Sequence, residues 1–136
     1  MSKKTVSFMT VFLLLVFCCS GVYAGVTPYS QYLIEDCSSS IAPSTSGNLL
    51  VYGRTYAYFT VDEVSITIYL QQWNGSSWVN VGSPIVGRKY NDSRVAVIAE
   101  RVVEKNKFYR TRSIHEAKYG GNTEKVELYS NSYYHQ

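Results

Sequence analysis

VSITIYLQQWNGSSWVNV, residues 64–81, decides how the rest of the chain is read. Val64, Ile66, Ile68 and Leu70 alternate with Ser65, Thr67, Tyr69 and Gln71. A period of two places the first set on one face of a strand and the second on the other. The β-branched content selects strand over helix. Asn74-Gly75-Ser76-Ser77 follows, and Asn and Gly reach positive φ at little cost, so the chain turns back there. A four-residue turn makes Trp73 and Trp78 cross-strand partners. Both then share the outward face with Tyr69, while Val79 and Val81 return to the core face. A stacked aromatic pair contributes about 0.5–1.5 kcal/mol beyond the area it buries.

The pattern extends on both sides of this hairpin. Residues 48–60 read as a strand with Leu49, Val51, Gly53, Thr55, Ala57 and Phe59 inward and Leu50, Tyr52, Arg54, Tyr56 and Tyr58 outward. Residues 31–41 form a strand before it, with Cys37, Ser39 and Ile41 on one side, and the Pro- and Ser-rich stretch 42–47 is a loop. Asp62-Glu63 reads as a tight, solvated connection. Gly82-Ser83-Pro84 ends the hairpin, because proline cannot donate to a central ladder. Downstream, residues 85–90 form a short edge strand, 91–93 a turn, 94–103 a strand, 104–107 a turn, 108–117 a strand, 119–122 a hairpin connection and 124–133 a last strand. About seven short strands with no helical periodicity outside the N-terminal leader predict an all-β antiparallel sandwich.

The leader itself reads as an address. Lys3 and Lys4 precede the apolar run 11–19, and Ser20 to Ala24 offers small residues at a cleavage point after Ala24. Residues 1–24 are therefore expected to be a signal peptide, and residues 25–136 a single exported domain, secreted and with no membrane span after cleavage. Two of the 13 basic residues fall in the leader, which leaves a near balance against 10 acidic ones. Such a chain has no general basic field for nucleic acid. Of three cysteines only Cys37 lies beyond the leader, so no intrachain disulfide is expected and core packing must hold the domain.

No nucleophile elbow, zinc-protease helix or phosphate loop occurs. His115 and Glu116 are strand neighbours and point to opposite faces, so they do not form an acid–base pair. His115 and His135 lack metal-ligand spacing with Cys37 or with any acidic residue. No cofactor or metal is expected, and a non-enzymatic role follows. Asn74-Gly75-Ser76 and Asn91-Asp92-Ser93 match the N-glycosylation pattern but read as turns. A row of tyrosines, Tyr52, Tyr56 and Tyr58, covers one outward face.

The stretches Tyr69-Leu70-Gln71-Gln72-Trp73 with its Asn-Gly-Ser-Ser turn, Cys37-Ser38-Ser39-Ser40-Ile41, and Tyr109-Arg110 to His115 resemble small secreted proteins of Gram-positive Firmicutes. Those proteins carry a β-sandwich domain of unknown function, of immunoglobulin or fibronectin type III character. The resemblance implies that Tyr109, Thr111, Ser113 and His115 face inward on the penultimate strand, with Tyr109 as a corner tyrosine. It implies that Arg110, Arg112 and Ile114 face outward. If this strand neighbours the Val64 strand, Arg110 and Arg112 lie beside Tyr69, Trp73 and Trp78, where Glu127 and Tyr129 join them. The resemblance transfers no activity.

The outward face of Tyr69, Gln71, Trp73, Trp78, Asn80, Arg110 and Arg112 is the candidate site. Flat rings flanked by amides and guanidinium groups suit a surface glycan or another protein. The expected role is a non-catalytic extracellular binding module. The alternative is a secreted bacteriocin-like or toxin-like factor, against whose simplest membrane-lytic form the near-neutral charge and lack of an amphipathic helix count.

Overall fold

The computed structural model describes residues 32–136. The leader, its expected cleavage after Ala24 and the lead-in that follows lie outside the described residues. Seven strands occur: β1 (Ile34–Pro43), β2 (Leu49–Trp73), β3 (Trp78–Asn80), β4 (Ile85–Arg101), β5 (Lys107–Tyr119), β6 (Asn122–Tyr129) and β7 (Tyr133–His135). All lie in one antiparallel sheet, ordered β1-β2-β5-β6, with β3 and β4 on β2 and β7 on β5. The sequence predicts two separate sheets; the hydrogen bonding instead joins every strand into one that curls over on itself.

The curl comes from β2. Its inward row runs Leu49, Val51, Gly53, Thr55, Ala57 and Val61, all odd-numbered, and then continues as Val64, Ile66, Ile68 and Leu70. The parity flips across Asp62-Glu63, which from sequence alone reads as the end of one strand and the start of another. In the fold the chain bends there and does not turn. Tyr56 pairs with Arg94 and Val61 with Asp92, so residues 57–60 lie opposite Ser93 alone. Extra residues on one strand kink it and sharpen its twist. Opposite the kink, the expected turn at 91–93 is likewise only a bend inside β4. Asn91 adopts φ 49°, and Asp92 Oδ1 accepts from the N–H groups of Ser93 at 2.7 Å and Arg94 at 3.1 Å.

Both long strands therefore fold their two halves face to face, and each uses a glycine to come close. A Cβ on Gly53 would sit 2.6 Å from the Cδ1 atoms of both Ile66 and Ile68. A Cβ on Gly87 would sit 2.4 Å from Val97 Cγ1 and 3.0 Å from Val95 Cγ2. The first half of β2, flanked by β1 and the second half of β4, thus covers the second half of β2, flanked by β5 and the first half of β4. Leu49, Val51, Val61, Val64, Ile66, Ile68 and Leu70 fill the space between. Cys37 and Ile41 of β1 pack against this cluster, on the side the alternation predicts.

The acidic pair at the kink is not a solvated loop. Glu63 Oε1 lies 3.2 Å from Arg88 Nε on β4 and 3.3 Å from Lys118 Nζ on β5. Asp62 Oδ2 accepts from the N–H of Gly120 at 2.9 Å. That glycine belongs to the β5–β6 turn, where Gly120 and Gly121 hold φ 57° and 82°. The bend is thus tied to both flanking strands.

Tyr109 is fully buried, and its hydroxyl donates to the Glu104 carbonyl at 2.8 Å. This is the corner contact that the resemblance implies, a ring in the core with its hydroxyl closing the preceding loop. Tyr109→Phe removes the donor and leaves that carbonyl short of a partner; a loss of about 1–2 kcal/mol in unfolding free energy is expected from urea titration.

Candidate functional site

The outward row is assembled by four strands. After the kink, the solvent face of β2 carries Tyr69, Gln71 and Trp73. The Asn-Gly-Ser-Ser turn has Gly75 at φ 100°, and Asn74 Oδ1 accepts from the N–H groups of Ser76 and Ser77, each at 2.9 Å. It sets β3 so that Trp78 lies opposite Trp73 and Asn80 opposite Gln71. On the other side of β2, Arg112 lies opposite Tyr69 and Arg110 opposite Gln71. β6 then places Tyr129 opposite Arg112 and Glu127 opposite Ile114. All six residues singled out from the sequence, Tyr69, Gln71, Trp73, Trp78, Arg110 and Arg112, therefore share one surface, with Glu127 and Tyr129 beside them.

The side chains interleave. The two indoles lie 5.5 Å apart, tilted by 57°. The Arg110 guanidinium carbon sits 4.5 Å from the Trp78 ring centre and 4.5 Å from that of Tyr129. Arg110 Nε donates to Gln71 Oε1 at 2.9 Å, and Gln71 Nε2 donates to Asn80 Oδ1 at 3.0 Å. Gln71 is buried beneath this stack and so serves as its floor. Arg112 lies 5.4 Å from the Tyr69 ring centre and is paired with Glu127, Nε to Oε1 at 2.8 Å. The Tyr129 hydroxyl donates to the same oxygen at 2.7 Å. Arg112, and after it Tyr129, hold the Glu127 carboxyl well below its ordinary range, at about 2. The ion pairs among the described residues do not include Arg110.

One feature of the expected site is revised. Open, flat rings are predicted; instead the guanidinium of Arg110 covers a face of both Trp78 and Tyr129. Cation–π contacts of this kind stiffen an exposed surface, which then offers ring edges and the ends of Arg110. The surface also reaches further than the sequence indicates. Phe108 packs on Tyr134 of β7, ring centres 4.9 Å apart. A shallow trough of about 290 Å³ runs between Trp73, Trp78, Phe108 and Ser132. Phe108 has the parity of Arg110 and Arg112, a signal that could have placed it on this face. β7 carries no comparable signal, since residues 130–132 interrupt what reads as one strand.

The tyrosine row is capped by guanidinium groups too: Arg54 and Arg94 lie 5.2 and 5.3 Å from the Tyr56 ring centre. His115 is fully buried, with Nδ1 2.7 Å from Thr55 Oγ1 and Nε2 2.9 Å from Ser113 Oγ. It is a satisfied core histidine, turned away from the outward row. A second cavity, about 390 Å³, is lined by Gln72, Val81, Val102, Val103, Glu104 and Tyr109 and brings no second carboxylate toward Glu104. Among the described residues no cluster of three or more His, Cys, Asp or Glu side chains is placed to hold a metal.

A family of unknown function, DUF6147, matches residues 21–133, which span the whole sheet except the last residues of β7. The chain belongs to the DUF6147 family. No curated protein and no solved structure gives a significant match. The aromatic and guanidinium row thus lies wholly within the DUF6147 region, on β2, β3, β5 and β6.

Proposed function

We propose that this chain is an exported, non-catalytic binding module that grips a surface glycan or another protein through the row of Trp73, Trp78, Arg110, Tyr129, Arg112 and Tyr69. The observation that carries the reading is the placement of the aromatic side chains. Trp73, Phe108, Tyr129 and Tyr134 stay exposed on one surface, outside the core the fold needs, and Gln71 and Arg110 lock part of that surface in place. Rigid aromatic and arginine side chains lose little conformational entropy on contact and dominate binding energy where they are centrally placed. Arg110, without a carboxylate of its own, supplies a cation for a partner's carboxylate or hydroxyl groups. The apolar run 11–19, which ends before the family match begins at residue 21, supports export. The buried tyrosine corner supports an immunoglobulin-like character.

The test is retention on isolated cell walls and in pull-downs from culture supernatant. The Trp73→Ala/Trp78→Ala double variant is expected to lose at least about tenfold in retained protein, each indole contributing about 1–2 kcal/mol to contact. Circular dichroism should report the same sheet, since neither indole is part of the core. Unchanged retention by a folded double variant contradicts the reading.

A further inference from the structure

The sheet has three edges, and they are defended unequally. β1 ends in Pro43, carries Glu35 and Asp36, and has a register shift between Ile34 and Asp36. β6 presents Glu124, Lys125 and Glu127 in close succession. Charge, proline and irregularity are the usual means by which sheets avoid pairing with other chains. The edge of β4 is different. Among the described residues it pairs with β2 along one side and with nothing on the other. Beyond its bend it reads Val95-Ala96-Val97-Ile98-Ala99, with no proline, glycine or charge. Ile98 remains 67% exposed there, and Val102 just past the strand 85%.

In an antiparallel pair, alternate residues direct both backbone groups to the same side. The Ser44 N–H donates to the Asn48 carbonyl at 2.8 Å, so the even-numbered residues of this half of β2 bond to β1 and the odd-numbered ones to Val95, Val97, Ala99 and Arg101 of β4, which leaves Arg94, Ala96, Ile98 and Glu100 as the set facing away from β2. These N–H and C=O groups form an open template.

We propose that the β4 edge pairs antiparallel with the β4 edge of a second copy of this chain, about a two-fold axis at Val97. The sequence around that point is complementary to itself. With Val97 opposite its own copy, Ala96 meets Ile98, and Arg94 meets Glu100, each twice. Neither member of that charged pair has an ion-pair partner among the described residues. Arg94 rests on the Tyr56 ring and forms no ion pair among the described residues. Glu100 Oε1 accepts from Ser44 Oγ at 2.6 Å, from Asn48 Nδ2 at 3.2 Å and from Ser46 Oγ. These bonds hold the carboxylate charged below its ordinary range and engage Oε1. On the inner face Val95, Val97 and Ala99 would carry the core row across the seam. A self-complementary patch is what a two-fold contact requires, and added main-chain hydrogen bonds are the usual source of affinity in strand addition.

Sedimentation of the purified protein across a concentration series tests this. The unaltered chain is expected to run as a dimer that dissociates on dilution. Arg94→Glu and Glu100→Arg each set like charges opposite one another twice, and each is expected to raise the dissociation constant about tenfold or more. An equimolar mixture of the two variants restores an Arg–Glu pair at both positions and is expected to recover the dimer. Ile98→Lys, a charge on the open edge, is expected to give a monomer with an unchanged circular dichroism spectrum. A chain that stays monomeric into the millimolar range overturns the proposal, as do variants that dimerise like the parent or a mixture that fails to recover. A monomer that instead takes up an added extended peptide at this edge overturns it in favour of a different partner.

Discussion

Ile66→Ala is expected to cost about 4 kcal/mol of unfolding free energy, near the upper end for truncating a buried aliphatic side chain. Ile66 is fully buried, and its position makes it hard to replace. Its Cδ1 reaches the space above Gly53 on the covering half of β2, and its Cγ2 lies 3.3 Å from where a Cβ of Gly87 would be. Both neighbours are glycines, so no side chain at either position can move in to fill the void. Against a typical total of about 5–15 kcal/mol for a domain of this size, such a loss removes a large share of the stability. Urea titration should show the midpoint falling with the slope unchanged. Val86→Ala, on the outward face of β4, is the comparison, and should stay within about 0.5 kcal/mol of the parent. Equal effects at the two positions contradict the packing described here.

Acid is expected to destabilise the fold from about pH 6.5 downward, because of His115. Burial pushes its pKa from 6.5 down to about 4, and the Arg54 backbone hydrogen bond and the Asp36 charge offset only part of that shift. The unfolded chain binds a proton below about pH 6.5, and the folded chain refuses it until about pH 4. The stabilisation is therefore complete above pH 6.5 and is lost progressively as pH falls to 4, about 3 kcal/mol in all. Glu127 acts in the same direction but lower, since its carboxyl is depressed from 4.5 to about 2; its share is present above pH 4.5 and lost below it. Unfolding measured between pH 7 and pH 5 therefore isolates the histidine. His115→Gln, which cannot ionise, should abolish most of the slope in that interval and leave the loss below pH 4.5 intact. A slope that survives the substitution contradicts the assignment.

Much of this fold is legible in the residue order, and the parts that are not have a common cause. The alternation from Val64 to Leu70 and the Asn-Gly-Ser-Ser turn report the hairpin and its paired indoles directly, because both depend on neighbours in sequence. The row of Arg110 and Arg112 beside Tyr69 follows once β5 is set against β2. The bend of β2 is not legible. A flip of parity between Val61 and Val64 accompanies a strand end and a kink alike, and only pairing to β4 on one side and to β1 and β5 on the other distinguishes them. The turn-forming residues Asn91-Asp92-Ser93 carry the same ambiguity and here make the answering bend. Reading each bend as a break divides the sheet in two. Gly53 and Gly87 are the residues that allow the halves to meet, and that role appears only when the side chains opposite them are known. On the site, side-chain parity reports which residues face outward but not what covers them, so the insertion of Arg110 between Trp78 and Tyr129 came only from the structure.

The face and the open edge of β4 both depend on β2 running unbroken from Leu49 to Trp73 and packing its first half on its second. Nuclear Overhauser measurements on isotopically labelled protein test this most directly. The account predicts strong contacts from the Gly53 α-protons to the δ1-methyls of Ile66 and Ile68, with cross-strand contacts both at Gly53–Val97 and at Ile66–Gly87. Absence of the Gly53 contacts, or a chain reversal at Asp62-Glu63 in their place, would contradict it.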